Sequence, residues 1–101
     1  MLKTEEGKIP TVFREDIRRA VRVLKTAGCV RVFLFGSLAE GQSGDRSDID
    51  LAIQGCPRGE FFHLWGRLLM ELDHPVDLVN LDKQVAFAQH LEKEGGLLQV
   101  G

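Results

Sequence analysis

Apolar residues recur along residues 11–27 at helical spacing, with Phe13, Ile17, Ala20, Val21 and Leu24 on one face and Arg14, Arg18, Arg22 and Lys25 on another. Thr11 is placed to cap this helix after Pro10, and Gly28 to close it in a left-handed conformation. The basic stripe reads either as a solvated face or as a docking surface. Cys29 to Phe35 (CVRVFLF) is a short β-branched and aromatic run, which predicts a strand buried on both faces and ending at Gly36. Residues 37–47 are rich in Gly, Ser and charged types, so a loop is expected there, with room for one helical turn after Ser37. Asp48 to Gln54 then alternates, Ile49, Leu51 and Ile53 on one side and Asp48, Asp50 and Ala52 on the other, the period of a strand.

Pro57 suits the first turn of a second helix, whose apolar face of Phe61, Phe62, Leu64, Trp65, Leu68, Leu69 and Leu72 runs to about Asp73. Trp65 and His63 read as packing residues of that helix. A third strand follows over Val76 to Leu81, with Asp77 near its start. Lys83 to Glu94 is expected to be the last helix, capped by Asp82 and ended by Gly95 and Gly96. The order αβ(α)βαβα, without repeats or low-complexity segments, predicts an α/β (α+β) fold. It consists of one domain over residues 1–101, a small mixed sheet of about three core strands flanked by helices.

Composition narrows what such a domain does. A chain of 101 residues with 44% hydrophobic residues can bury one modest core. No apolar run is long enough for a membrane span, and Met1 to Pro10 has no apolar stretch of a secretion signal, so a cytoplasmic protein without membrane partners is expected. Two cysteines, Cys29 and Cys56, show neither a C-x-x-C pattern nor a His at ligand spacing, and are expected to be free, buried thiols. The net charge of −2 is uneven: residues 1–31 hold eight Lys/Arg against four Asp/Glu, and residues 32–101 hold five against eleven. That balance disfavours general nucleic-acid binding and suits a divalent cation.

The candidate chemistry lies in few residues. Asp48 and Asp50 leave the same face of a strand with Cα atoms about 6.7 Å apart, where their charges repel unless a cation lies between them. Aspartate is among the poorest strand formers, so two on one face mark a site rather than a polar edge. Gly36 and Ser37 end the preceding strand, where exposed backbone N–H groups and a hydroxyl can meet phosphate. The Rossmann, P-loop and EF-hand patterns are all absent.

Gly36-Ser37, ten intervening residues, Asp48-Ile49-Asp50 and then Asp77 on a later strand together resemble the nucleotidyltransferase fold of the DNA polymerase beta superfamily. The stretch LFGSLAEGQSGDRSDIDLAI is similar to the signature of the minimal nucleotidyltransferases, small proteins paired with an all-helical HEPN partner in toxin–antitoxin systems. The resemblance implies that Gly36 and Ser37 hold the β- and γ-phosphates of ATP or another nucleoside triphosphate, and that Asp48 and Asp50 bind Mg²⁺, with Mn²⁺ as a substitute. It implies that Asp77 is the third carboxylate, at a two-ion site, and takes the proton of an acceptor hydroxyl. Glu40 stands where members of the family commonly carry a phosphate-binding arginine, and Arg46 is the candidate to compensate. The implied reaction moves a nucleoside monophosphate, AMP in the first instance, to an acceptor hydroxyl on a HEPN-type partner. A non-catalytic antitoxin module and a metal-dependent phosphohydrolase are the alternatives, and a homodimer is a further assembly to expect.

Overall fold

The computed structural model describes Ile9, residues 11–36 and residues 48–101. Helix α1 spans Thr11–Thr26, followed by strands β1 (Arg31–Phe35) and β2 (Ile49–Gln54). Helix α2 (Phe61–Glu71), strand β3 (Val76–Asn80), helix α3 (Val85–Lys93) and strand β4 (Leu98–Gln99) complete the order. The four strands form one sheet in the order β3-β2-β1-β4. Strand β1 is antiparallel to both β2 and β4, and β2 is parallel to β3, the crossover between them being α2. The mixed α+β architecture is the expected one, with β4 as an additional two-residue edge strand that its short, glycine-flanked sequence does not announce.

Alternation along the strands divides the sheet into two unlike faces. Val32, Leu34, Ile49, Leu51, Ile53, Val76 and Leu78 are buried on one face, against Phe13, Ile17, Ala20 and Leu24 of α1 and Leu64 and Leu68 of α2. The other face carries Phe33, Phe35, Ala52 and Val79, which pack with Ala88 of α3. That second, thinner layer also bears the acidic residues.

Helix ends follow local chemistry. Gly28 (φ 109°) ends α1, with its N–H bonded to the Lys25 carbonyl and the Cys29 N–H to the Leu24 carbonyl, the paired bonds of a Schellman turn. Helix α3 ends in the same two-bond pattern, Gly95 to Glu92 and Gly96 to Leu91. Its start differs from expectation. The residue before the first helical turn is Gln84, and Asp82 instead accepts the Gly55 N–H at 2.7 Å, tying the end of β2 to the turn after β3. Helix α2 likewise begins at Phe61, not Pro57, because Arg58 and Gly59 form a turn first. Trp65 packs as expected and donates its indole N–H to the Val76 carbonyl at 2.8 Å, whereas His63 is exposed and is not a packing residue.

The cysteines are the clearest correction. Cys29 and Cys56 are not free thiols but a disulfide, closing 27 residues of chain. Continuing the β1–β2 register two residues beyond Arg31 and Gln54 brings Cys29 opposite Cys56, so the pairing follows from strand register, which sequence spacing does not display.

A buried acid holds the two halves of the layer together. Asp16 sits on the apolar side of α1, only 1% exposed, and its carboxylate accepts the backbone N–H of Asp73 (3.0 Å) and of His74 (2.9 Å). The same oxygen lies 2.8 Å from His74 Nδ1, and the His74 ring lies 4.4 Å from that of Phe13. Burial pushes the Asp16 carboxyl up, but the His74 ring and the two backbone N–H groups outweigh it and hold the group below its ordinary value. This contact fixes the chain as it enters β3, where the Pro75 carbonyl accepts the Ile49 N–H.

Two outcomes follow from these contacts. Asp16→Ala leaves two part-buried N–H groups without their acceptor and should lower unfolding stability by about 1–3 kcal/mol. Because the folded-state pKa is depressed, the wild-type advantage is complete above the unfolded value near 3.9 and is lost as pH falls through the folded one, which denaturant unfolding at several pH values will read. Reducing the disulfide, or replacing both cysteines by serine, should cost about 3 kcal/mol by loop-closure entropy, a fall in Tm on the order of 15 °C in a thermal melt.

Candidate active site

Strand β2 carries Asp50 into the sheet with partners on both sides. In the β1–β2 ladder it faces Phe35, and in the parallel β2–β3 ladder it faces Asp77. Directly opposed residues share a face, so Asp50 and Asp77 project together from the thinner layer, Asp77 exposed and Asp50 half-buried. Asp48 immediately precedes β2 and is exposed. Burial chiefly, then the charge of Asp77, then that of Asp48, pushes the Asp50 carboxyl above its ordinary value. The three acids that stand out in the sequence are thus brought into one electrostatic unit.

Gly36 completes this corner. It has φ 76°, a conformation that favours glycine, and a Cβ built on it would run into the Asp50 carboxylate oxygen. The backbone at the end of β1 therefore lies directly against the Asp50 carboxylate, and any side chain at residue 36 would displace it. Phe35 extends the same row, its ring 5.7 Å from that of Phe87 on α3 in an edge-to-face contact. Phe87 carries no signal of this role in the sequence, since one aromatic in a short amphipathic helix does not reveal which sheet row it covers. Ser37, Glu40 and Arg46 lie outside the described residues.

Hard carboxylate oxygens that repel one another are a donor set suited to Mg²⁺ or Mn²⁺. Among the described residues no three His, Cys, Asp or Glu side chains converge into a ready-made metal cage. That arrangement fits an ion that takes one or two carboxylates and completes its shell with water and substrate phosphates.

The chain matches the family described as Polymerase beta, Nucleotidyltransferase, over residues 19–99. It belongs to that nucleotidyltransferase family. The matched span includes Gly36, Asp48, Asp50 and Asp77 together. Among solved structures, a crystal structure of a toxin–antitoxin with AMP-PNP is similar at a TM-score of 0.67 and 25% identity, covering 82% of this chain and 70% of that one. A structure of the toxin–antitoxin MntA-HepT is similar at TM-score 0.62 and 22% identity, over 85% of this chain and 69% of that one. A third, a tri-AMPylated Shewanella oneidensis HEPN toxin in complex with an MNT antitoxin, gives TM-score 0.61 and 22% identity over 85% and 69% of the two chains. No curated protein sequence matches this chain.

Elsewhere the nucleotidyltransferase domain departs from the expected layout. The basic stripe on α1 is partly consumed within the chain, since Arg14 is half-buried and donates to the Ile9 carbonyl at 2.9 Å, and Lys25 donates to the Val30 carbonyl at 2.7 Å. Among the described residues no helix is long and apolar enough to cross a membrane.

The raised Asp50 pKa fixes the sign of a stability test. Its ionised form costs stability in the absence of a cation, a cost absent below the unfolded value near 3.9 and complete above the folded one. Asp50→Asn should therefore melt a few degrees higher than wild type at neutral pH in chelator, and the difference should close as the pH approaches that of an ordinary carboxyl group.

Proposed function

We propose that this domain is a Mg²⁺-dependent nucleotidyltransferase that moves AMP from ATP to a hydroxyl on a HEPN-type helical partner, acting as the antitoxin half of a two-protein system. The observation that carries this reading is the in-register placement of Asp50 beside Asp77, with the Gly36 backbone against the Asp50 carboxylate. Family membership supports it, as does the occurrence of AMP-PNP and of an AMPylated HEPN toxin in structurally similar complexes.

In this reading Gly36, where β1 ends, and Ser37 hold the β- and γ-phosphates of the triphosphate, and Arg46 compensates for the charge of Glu40. Divalent ions held by Asp48, Asp50 and Asp77 would neutralise the phosphates and polarise the reacting oxygens. The acceptor oxygen forms a bond to the α-phosphorus, the bond from that phosphorus to the bridging oxygen breaks, and pyrophosphate leaves. Asp77, exposed and opposite Asp50, receives the hydroxyl proton. We place the reaction in the cytoplasm, where ATP is supplied and where the Cys29–Cys56 bridge would be open to reduction.

Incubation with α-labelled ATP, Mg²⁺ and a HEPN-type partner tests this. Label should pass to the partner, and Asp77→Asn should slow the transfer by about 10²–10⁴-fold while ATP binding persists. Release of free AMP without protein labelling would instead indicate a phosphohydrolase, and neither product would indicate a binding module.

A further inference from the structure

The carboxyl ends of the parallel strands β2 and β3 open on a cavity of about 560 Å³ that the acid row does not line. Ile53 and Asn80, in register with each other, belong to its lining and stand three positions, about 10 Å along the strands, from Asp50 and Asp77. An odd offset along a strand reverses the side, so these two residues and the acid row lie on opposite faces of the sheet as well as at opposite ends. The remaining walls are the turn after β2 with the start of α2, and the turn that leads from β3 to α3. Crevices outside the carboxyl ends of parallel strands are the usual ligand sites of α/β sheets.

Core packing does not account for what lines this cavity. Phe61 and Phe62 stand edge to face at 5.1 Å, yet Phe62 is 78% exposed. Arg58 and Lys83 come from the two different turns, and among the described residues neither side chain has a hydrogen-bond or ion-pair partner. Asn80 accepts the Asp82 N–H through Oδ1, which leaves its amide N–H groups to donate elsewhere. The lining holds one carboxylate, Asp82, and the Gly55 N–H already engages it at 2.7 Å. Two cations against one occupied acid make this a locally positive spot in a chain of net charge −2.

We propose that this cavity binds a purine mononucleotide, with its phosphate between Arg58 and Lys83, its base against Phe62 and its ring edge on the Asn80 amide. A phosphate monoester carries close to two negative charges at neutral pH, which matches two unpaired cations. A purine stacks on an aromatic ring, and amide N–H groups serve its ring nitrogens. The volume lies within the range of cavities that take ligands of this size. The walls are fixed before a ligand arrives. The bridge to Cys29 ties Cys56 to the chain just after α1, Asp82 holds the Gly55 N–H, and the Asn80 carbonyl accepts the N–H groups of Lys83 and Gln84 at 3.2 and 3.1 Å. Binding here is independent of the reaction at the acid row and needs no divalent ion, because the chain's own cations meet the phosphate.

Calorimetric titration of the full chain with AMP in chelator tests this. AMP should bind, and adenosine and inorganic phosphate should each bind about tenfold or more weakly, since each lacks half of the contacts. Combining Arg58→Gln with Lys83→Gln should weaken AMP binding by about tenfold or more, and Phe62→Ala by about fivefold or more. Tm should hold in these variants, because all three side chains are exposed. Asp50→Asn should leave the affinity unchanged, and the backbone amides whose NMR shifts move with AMP should fall within residues 56–62 and 80–84. No binding at millimolar AMP, equal binding of inorganic phosphate, or shifts confined to the acid row would overturn the proposal. So would an affinity that Asp50→Asn changes and the double variant does not.

Discussion

Two carboxylates in register on neighbouring parallel strands are the constraint around which this small domain is built. Asp50 and Asp77 are directly opposed, a position at which like charges destabilise a sheet. The rows beneath them are apolar: Leu34, Leu51 and Leu78 line up across three strands, and Val32 faces Ile53. Burial of those side chains against α1 and α2 holds the register and with it the repulsion. The one-sided character of the sheet follows. Its inner face is a full hydrophobic layer, and its outer face trades packing for charge.

Asp16 and Asp50 show how a single side-chain type is tuned in opposite directions. Both are withdrawn from water, which alone pushes each carboxyl up. Asp16 meets N–H donors from the backbone and from His74, and these stabilise its charge. Asp50 meets the negative charges of Asp77 and Asp48. The first is satisfied within the fold and acts as a tether for the start of β3. The second is a site of unmet charge, and the tether keeps the neighbouring Asp77 where that charge is felt.

Solved structures with 22% to 25% identity superpose at TM-scores of 0.61 to 0.67, so most side chains can change while the arrangement persists. In this chain the arrangement rests on apolar rows that hold the register, a residue without a Cβ where β1 ends, and acids at the ends of β2 and β3. Gly36 illustrates the coupling, because its requirement arises jointly from its own positive φ and from the Asp50 carboxylate against it.

Local periodicity by itself determines much of this protein. The face of α1, the alternation of β2, the acid pair at residues 48 and 50 and the glycines that close α1 and α3 are all legible in the chain, because each depends on residues a few positions apart. The shared motif of Gly36, Asp48, Asp50 and Asp77 is legible for the same reason, as spacing along one chain. Tertiary structure alone decides the rest. Cys29 becomes half of a disulfide through strand register, Asp16 turns from an oddity on an apolar face into an anchor, and Asp82 leaves the helix cap to bind Gly55. Each of those outcomes joins groups 27 to 58 residues apart, and a contact over that distance exists only once the whole chain has settled which strand lies beside which.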